Sequence, residues 1–505
     1  MRAWDEVFVA PGEPRPVYRE MVEILDDFSA LDLRLRFEQL GRTFTERGVT
    51  FALGGEERPF PLDLIPRIIT AIEWDGLSAG IAQRVRALEA FLVDAYGAGS
   101  CFDDEVVPRS LVMSSPNFRR EAKGVVADGA PRITVAGIDL IRDESGAFRV
   151  LEDNVRIPSG VSYVIENRRV MTQNFGSLFA NYRVHPVDEY PDRLFRALRR
   201  SAPEGVRDPT VVVLTPGVHN PAYFEHVLLA RLMGVELVEG SDLVVLGTNV
   251  FMRTTQGERP VHVIYRRVDD EWIDPLQFRP NSILGVAGLV NAARAKNVTI
   301  ANAIGNGIAD DKLLYTYVPE LIEYYLHEAP LLENVETYRL ADPEVMSDVL
   351  AHIEQYVVKP VDGSGGAGIV IGPQADAATL RALEAAVRAH PRGFVAQRTV
   401  KLSTAPTFVD GALVPRHIDL RPFAINDGSD VWVLPGGLTR VALPEGALIV
   451  NSSQGGGSKD TWVLADGPAL ISPSLPTSAT NERPPITMNT VRRQYGPSLE
   501  TVADQ

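Results

Sequence analysis

Asp139, Glu152 and Asn154 are the residues of this chain whose types and spacing most clearly suit chemistry. Glu152 and Asn154 stand two apart in AFRVLEDN, so on a strand they face one side, while Asp153 faces the other. Asp139 lies in ITVAGIDLIRD, and a turn at Glu144-Ser145-Gly146 joins the two runs into an expected β-hairpin. Two carboxylates and an amide oxygen make a hard-oxygen set, suited to Mg²⁺ that also binds substrate phosphates. Arg156 and the turn containing Ser159 and Gly160 follow at once and have the character of a ligand-facing segment.

A second constellation is VVKPVDGSGGAGIVIG. Lys359 ends one strand-like run, and Gly363, Ser364, Gly365, Gly366 and Gly368 form a loop before the next. Glycines let backbone N–H groups approach an anion closely, and a neighbouring lysine supplies a point charge for phosphate. Two familiar patterns fail here. Gly363, Gly365 and Gly368 spell G-x-G-x-x-G, but a dinucleotide fold needs a helix to open at that point, and Ile369-Val370-Ile371 reads as a strand. Val370 extends the match to the protein-kinase form, yet no V-A-I-K, H-R-D or D-F-G element lies at a workable distance. The expectation is a hairpin with a glycine-rich tip that closes over the phosphates of a nucleotide.

The surrounding elements must bring these two constellations together. The chain of 505 residues is long for one core and suggests several domains. With 45% hydrophobic and 23% charged residues it reads as globular, and a net charge of -16 disfavours nucleic acid as a partner. No apolar run reaches the ~18 residues needed to span a membrane. The lone Cys101 excludes an internal disulfide framework and suits the cytoplasm. The periodicity predicts helices between Val17 and Ala98, over 168–179 and over 192–200. TVVVL, YFEHVLLARLMG, VELVEG, the helical SILGVAGLVNAARAKN and VTIANA alternate as a parallel sheet covered by helices, with a hairpin inserted among them. DDKLLYTYVPELIEYYL is expected to be one helix with acids in its first turn. The expected division is 1–205 for the N-terminal helices and metal-binding hairpin, 206–305 for a Rossmann-like unit, 306–470 for the lysine and glycine-loop lobe, and 471–505 for a Pro/Ser/Thr-rich tail.

Glu-x-Asn on a strand, a preceding aspartate, and a strand lysine leading into a glycine flap resemble the ATP-grasp superfamily. The order is inverted here, with LEDN at 151–154 and the loop at 363–368, as in the circularly permuted branch related to glutathionylspermidine synthetase. VLEDNVRIPSGVSYVIENR, NAIGNGIADDKLL and NSSQGGGSKDTWV resemble its type 2 members. The resemblance implies a mixed α/β, circularly permuted ATP-grasp fold with a Rossmann-like unit and a helical N-terminal region. It also implies an ATP- and Mg²⁺-dependent carboxylate–amine ligase that forms an amide through an acyl phosphate.

On that resemblance Lys312 and Lys359 are the nucleotide lysines, Gly363 to Gly368 cover the β/γ-phosphates, and the strand FVAQRTV with Gln397 lies beside adenine. Asp139, Glu152 and Asn154 hold the metal. Arg421 and Arg156 clamp the acyl phosphate or carboxylate, and Ser159, Gly160, Arg266, Arg267 and Lys459 face substrate. Asp419 in RHIDLR adds an Asp-x-Arg that competes for the metal or substrate role. The expected partners are small-molecule or peptide carboxylates and amines, with a protein partner left open. A phosphotransferase and a non-catalytic ATP-binding subunit stand as alternatives, although intact metal ligands argue against the second.

Overall fold

The computed structural model describes residues 3–53, 56–127, 129–363, 368–447, 450 and 456–466. Two runs form the expected hairpin, Val135–Arg142 with Phe148–Asn154. Asp143 closes its turn by accepting from the backbone of Ser145 and Ala147, and Gly146 takes the positive φ of 88° that the turn requires. Asp139 pairs with Glu152 across the ladder, and a register shift follows between Asp139 and Leu140. Such bulges re-aim side chains at functional positions.

The first strand is buried along its whole length because it is central. Phe423–Asn426 pairs antiparallel on its other edge, followed by Val431–Val433. The sheet therefore joins chain from both sides of the segments in between. One face packs on the long helix Ala71–Ala95, whose Leu88, Phe91 and Leu92 share a core with Ile138, Leu140 and Val150. A Thr70/Glu73 capping box starts that helix.

The α/β segment forms a four-stranded parallel sheet in the order Thr299–Ala301, Val263–Arg266, Val211–Leu214, Glu236–Val238. Helix Tyr223–Met233 makes the first crossover. The inserted segment is a three-stranded meander, Leu243–Leu246, Asn249–Thr254 and Gly257–Val261. The helix expected over SILGVAGLVNAARAKN shrinks to Leu289–Arg294, because Gly288 has φ +87° and Gly285 lies so close to the Trp272 and Ile273 backbone that no Cβ fits. Asn302, at the carboxyl end of this sheet, stitches it to the hairpin. Its Oδ1 accepts from Thr134 and Val135 N at 2.8 Å, and its Nδ2 donates to Val135 O and Val155 O.

A third sheet carries the glycine hairpin in the order Thr337–Arg339, Phe394–Arg398, Tyr356–Pro360, Val370–Ile371. Helices Pro343–Ala351 and Ala377–Ala389 cover it, and Leu340, Val349, Val358, Leu383, Val387 and Ala396 form a core of their own. The single helix expected after Asp310 is two, Lys312–Tyr315 and Val318–Leu326, because Pro319 begins a new first turn. The tail from 471 to 505 lies outside the described residues.

Candidate active site

Strand alternation sorts the acids as expected. Asp153 turns inward to Arg84, whose Nε and Nη2 donate to its two oxygens at 2.6 and 2.8 Å, with both side chains almost wholly buried. Glu152 faces the opposite way, 3.2 Å from Lys312 Nζ. Asn154 Nδ2 is buried without a hydrogen-bond partner, leaving that amide able to turn toward a ligand. Among the described residues no three His, Cys, Asp or Glu side chains converge on one point, so the candidate metal set is two carboxylates and an amide. Its all-oxygen chemistry fits a hard divalent cation.

Asp139 is the exception in that set, being already engaged. Arg421 grips it side-on, Nε to Oδ1 at 2.5 Å and Nη2 to Oδ2 at 2.7 Å, while Arg440 Nη2 donates to Oδ2 at 2.7 Å. Burial alone would raise the Asp139 pKa, but the two guanidiniums outweigh it and hold the carboxyl below the ordinary range. Arg440 also binds Asp419 through Nε and Nη2. Burial raises the Asp419 pKa against that attraction. Asp419 is thus an anchor for Arg440.

The lysines approach from the later lobe. Asp311 caps the helix that Lys312 begins, and Lys312 Nζ donates to Gly363 O at 2.5 Å, at the root of the glycine loop. Lys359 is partly buried on its strand, and desolvation lowers its ammonium to about 8, with Glu152 opposing the shift and Lys312 adding to it. A narrow cleft lies between the hairpin and the lobe, lined by Glu152, Lys312, Tyr315, Thr337, Lys359 and Gln397 among others. Gln397 donates to Thr337 Oγ1 at 2.9 Å on the cleft wall. Ser364, Gly365 and Gly366 lie outside the described residues. Gly368 has φ +73° and would place a Cβ 3.0 Å from Pro360, so a side chain there is strained and crowded.

The remaining arginines separate into two groups. Arg156 lies partly exposed between Asp269 at 3.5 Å and Asp310 at 3.8 Å, beside the cleft. Arg421 also donates to Ser159 O at 3.3 Å, so the 158–160 turn and the Asp139 cluster meet. Arg266 and Arg267, expected to grip substrate, point inward instead. Arg266 is fully buried, donating to the carbonyls of Asn302, Ala303 and Val268 and pairing with Asp270. Arg267 binds Glu225 at 3.0 Å and Pro158 O at 2.8 Å. Glu225 in turn accepts from Gly160 N and Ser162 N, so Gly160 contributes backbone geometry at φ +115°. Lys459 is fully buried, and its three protons go to Asp63, Ile65 O and Pro406 O. It has no donor left for substrate.

Two site residues escaped the sequence reading. Arg440 sits in GLTRVA, where nothing nearby marks it; only the pairing of Arg421 with Leu438 shows that Asp419, Arg421 and Arg440 share a face. Asp310 reads as a helix-capping acid, but it lines the cleft and accepts from Val155 N at 2.7 Å. Burial raises its pKa to about 7 despite the opposing Arg156.

The description of circularly permuted ATP-grasp type 2 proteins matches residues 66–442, three-quarters of the chain. The chain belongs to the circularly permuted ATP-grasp type 2 family. Members of this family are in general ATP-dependent ligases that use a divalent metal. Similar proteins include an uncharacterised one of Mycobacterium tuberculosis H37Rv, 60% identical over 92% of this chain and 84% of its own. One of Synechocystis sp. is 47% identical over 91% of this chain and 97% of its own. A Frankia casuarinae protein provisionally named a glutamate–cysteine ligase is 45% identical over 91% of this chain, which spans 53% of that protein. A glutathione synthetase-like effector of Globodera pallida, in apo form, has a similar fold. Its TM-score is 0.57 at 11% identity, over 87% of this chain and 98% of its own. Among the described residues no helix is long and apolar enough to cross a membrane.

Proposed function

We propose that this ATP-grasp protein joins a carboxylate to an amine, activating the carboxylate as an acyl phosphate and releasing ADP and phosphate. The observation that carries the reading is the approach of Lys312 to Glu152 at 3.2 Å, in a cleft that Lys359 also lines. Two cationic ammoniums facing a carboxylate across a small cleft suit a triphosphate and its counter-ion.

Lys359 and Lys312 bind phosphate oxygens. Glu152 and Asn154, with Asp139, would hold Mg²⁺, which when bound offsets charge on the β- and γ-phosphates. Arg421, beside the 158–160 turn, stabilises charge on the transferring phosphoryl group, and Arg156 orients the carboxylate. Gln397, on the cleft wall, contacts the base. The amine then displaces phosphate, and no nucleophilic side chain is required. The Frankia relative's name makes an amino-acid carboxylate such as glutamate, with an amine such as cysteine, the first pair to try. Dependence on ATP and small substrates, and a buried Cys101, fit a cytoplasmic setting.

The test is an ADP-release screen of purified protein over carboxylate and amine pairs with Mg-ATP. ADP release that requires both substrates, and is lost in Lys359→Ala, supports the ligase. Release with the carboxylate alone and a stable phosphorylated product would replace it with a phosphotransferase.

A further inference from the structure

Asp139 is asked to serve two cations. As a metal ligand it must offer an oxygen toward the face it shares with Glu152. As found, Oδ1 takes Arg421 Nε, and Oδ2 takes Arg421 Nη2 together with Arg440 Nη2. The two arginines are not equivalent. Arg440 is held by two carboxylates, with three further contacts to Asp419 beyond the one to Asp139. Arg421 has Asp139 as its only anionic partner among the described residues, and its other side-chain contact is the Ser159 carbonyl at 3.3 Å. It is also the more exposed, at 14% against 9%.

We infer that Arg421 and the divalent cation take Asp139 in turn, with Arg440 fixed beneath as the positioning residue. Resting on the ligase reading, this makes Arg421 a built-in counter-ion to Asp139 that an arriving cation must displace. Without it, Asp139 would face Glu152 uncompensated on the Arg421 side. Once the cation is bound, the guanidinium is released next to the 158–160 turn, where the reading places the acyl phosphate. The exchange couples arrival of the metal nucleotide to delivery of a catalytic positive charge. The carboxylate changes partners while Arg440 keeps it ionised and oriented.

The exchange is tested by Mn²⁺ binding, followed by electron paramagnetic resonance with a non-hydrolysable ATP analogue and no turnover. Removing the competitor in Arg421→Met should tighten Mn²⁺ by about tenfold, since a charge-assisted pair no longer has to be broken. Arg421→Lys, which keeps charge but loses the fork, should fall between. In Asp139→Asn, Mn²⁺ should bind more weakly and Arg421→Met should add nothing. Melting curves establish that each variant is folded, and the Lys variant remains informative if Met is not. Unchanged or weaker Mn²⁺ binding in both Arg421 variants would overturn the exchange, as would an Asp139→Asn variant with wild-type affinity. Failure of wild-type protein to bind the analogue at all would instead sink the ligase reading.

Discussion

Lys312 and Glu152, 160 positions apart in sequence, meet at 3.2 Å, while the same ammonium donates to Gly363 O at 2.5 Å. One lysine thus ties the early hairpin to the root of the glycine loop. Glu152→Gln removes the carboxylate that both lysines face. Substrate-dependent ADP release should fall about 100-fold, in line with loss of one charge-stabilising group, with the fold intact by circular dichroism. Retained activity would exclude Glu152 from the site.

Lys359 sets a pH dependence. Its folded pKa is lowered to about 8, so the ammonium prevails below that value and is lost above it. A triphosphate binds the ammonium form. Affinity should therefore be level at lower pH and weaken as pH rises through 8, by up to about tenfold per unit. Lys359→Arg should flatten the profile, because a guanidinium does not titrate there. Fluorescent-nucleotide titration across pH reads both.

Asp153 holds the hairpin to the long helix through Arg84. Arg84→Met leaves a buried carboxylate without its partner and should cost about 3–5 kcal/mol of stability. Urea unfolding measures it. A change below 1 kcal/mol (roughly the worth of a surface ion pair) would show that the pair is not structural.

Arg267 separates support from recognition. It clamps Pro158 O and Glu225 beneath the 158–160 turn. Arg267→Met should lower the melting temperature and the folded fraction, whereas loss of a substrate contact would raise KM in a protein of unchanged stability. A pure KM effect would return Arg267 to the substrate site.

The hairpin and the facing of its second strand were legible because alternation at period two is local: Glu152 and Asn154 on one side, with Asp153 turned away, follow from spacing, whereas Asp139 meets Glu152 only through the register shift beside Leu140, which spacing does not show. The two cleft lysines were legible as candidates through the company they keep, Lys359 beside glycines and Lys312 at a helix start. The arginines were not. Arg266 and Arg267 look like a substrate grip until Asn302 and Glu225 appear as their partners, and those contacts are set by packing of the parallel sheet against the hairpin. Lys459 likewise reads as an anion-loop lysine until Asp63, 396 positions away, takes it into the interior. Arg440 carries no local signal because its role exists only across strands. The helix expected through 310–326 failed at Pro319, a break the sequence did show.

The acyl phosphate itself is tested most directly by isotope transfer. The carboxylate substrate identified by the ADP screen would be labelled with ¹⁸O in its carboxyl group and turned over with Mg-ATP and the amine. The account predicts that ADP is formed and that the released phosphate carries one ¹⁸O taken from that carboxyl. Unlabelled phosphate beside a completed amide, or release of AMP and pyrophosphate, would contradict it.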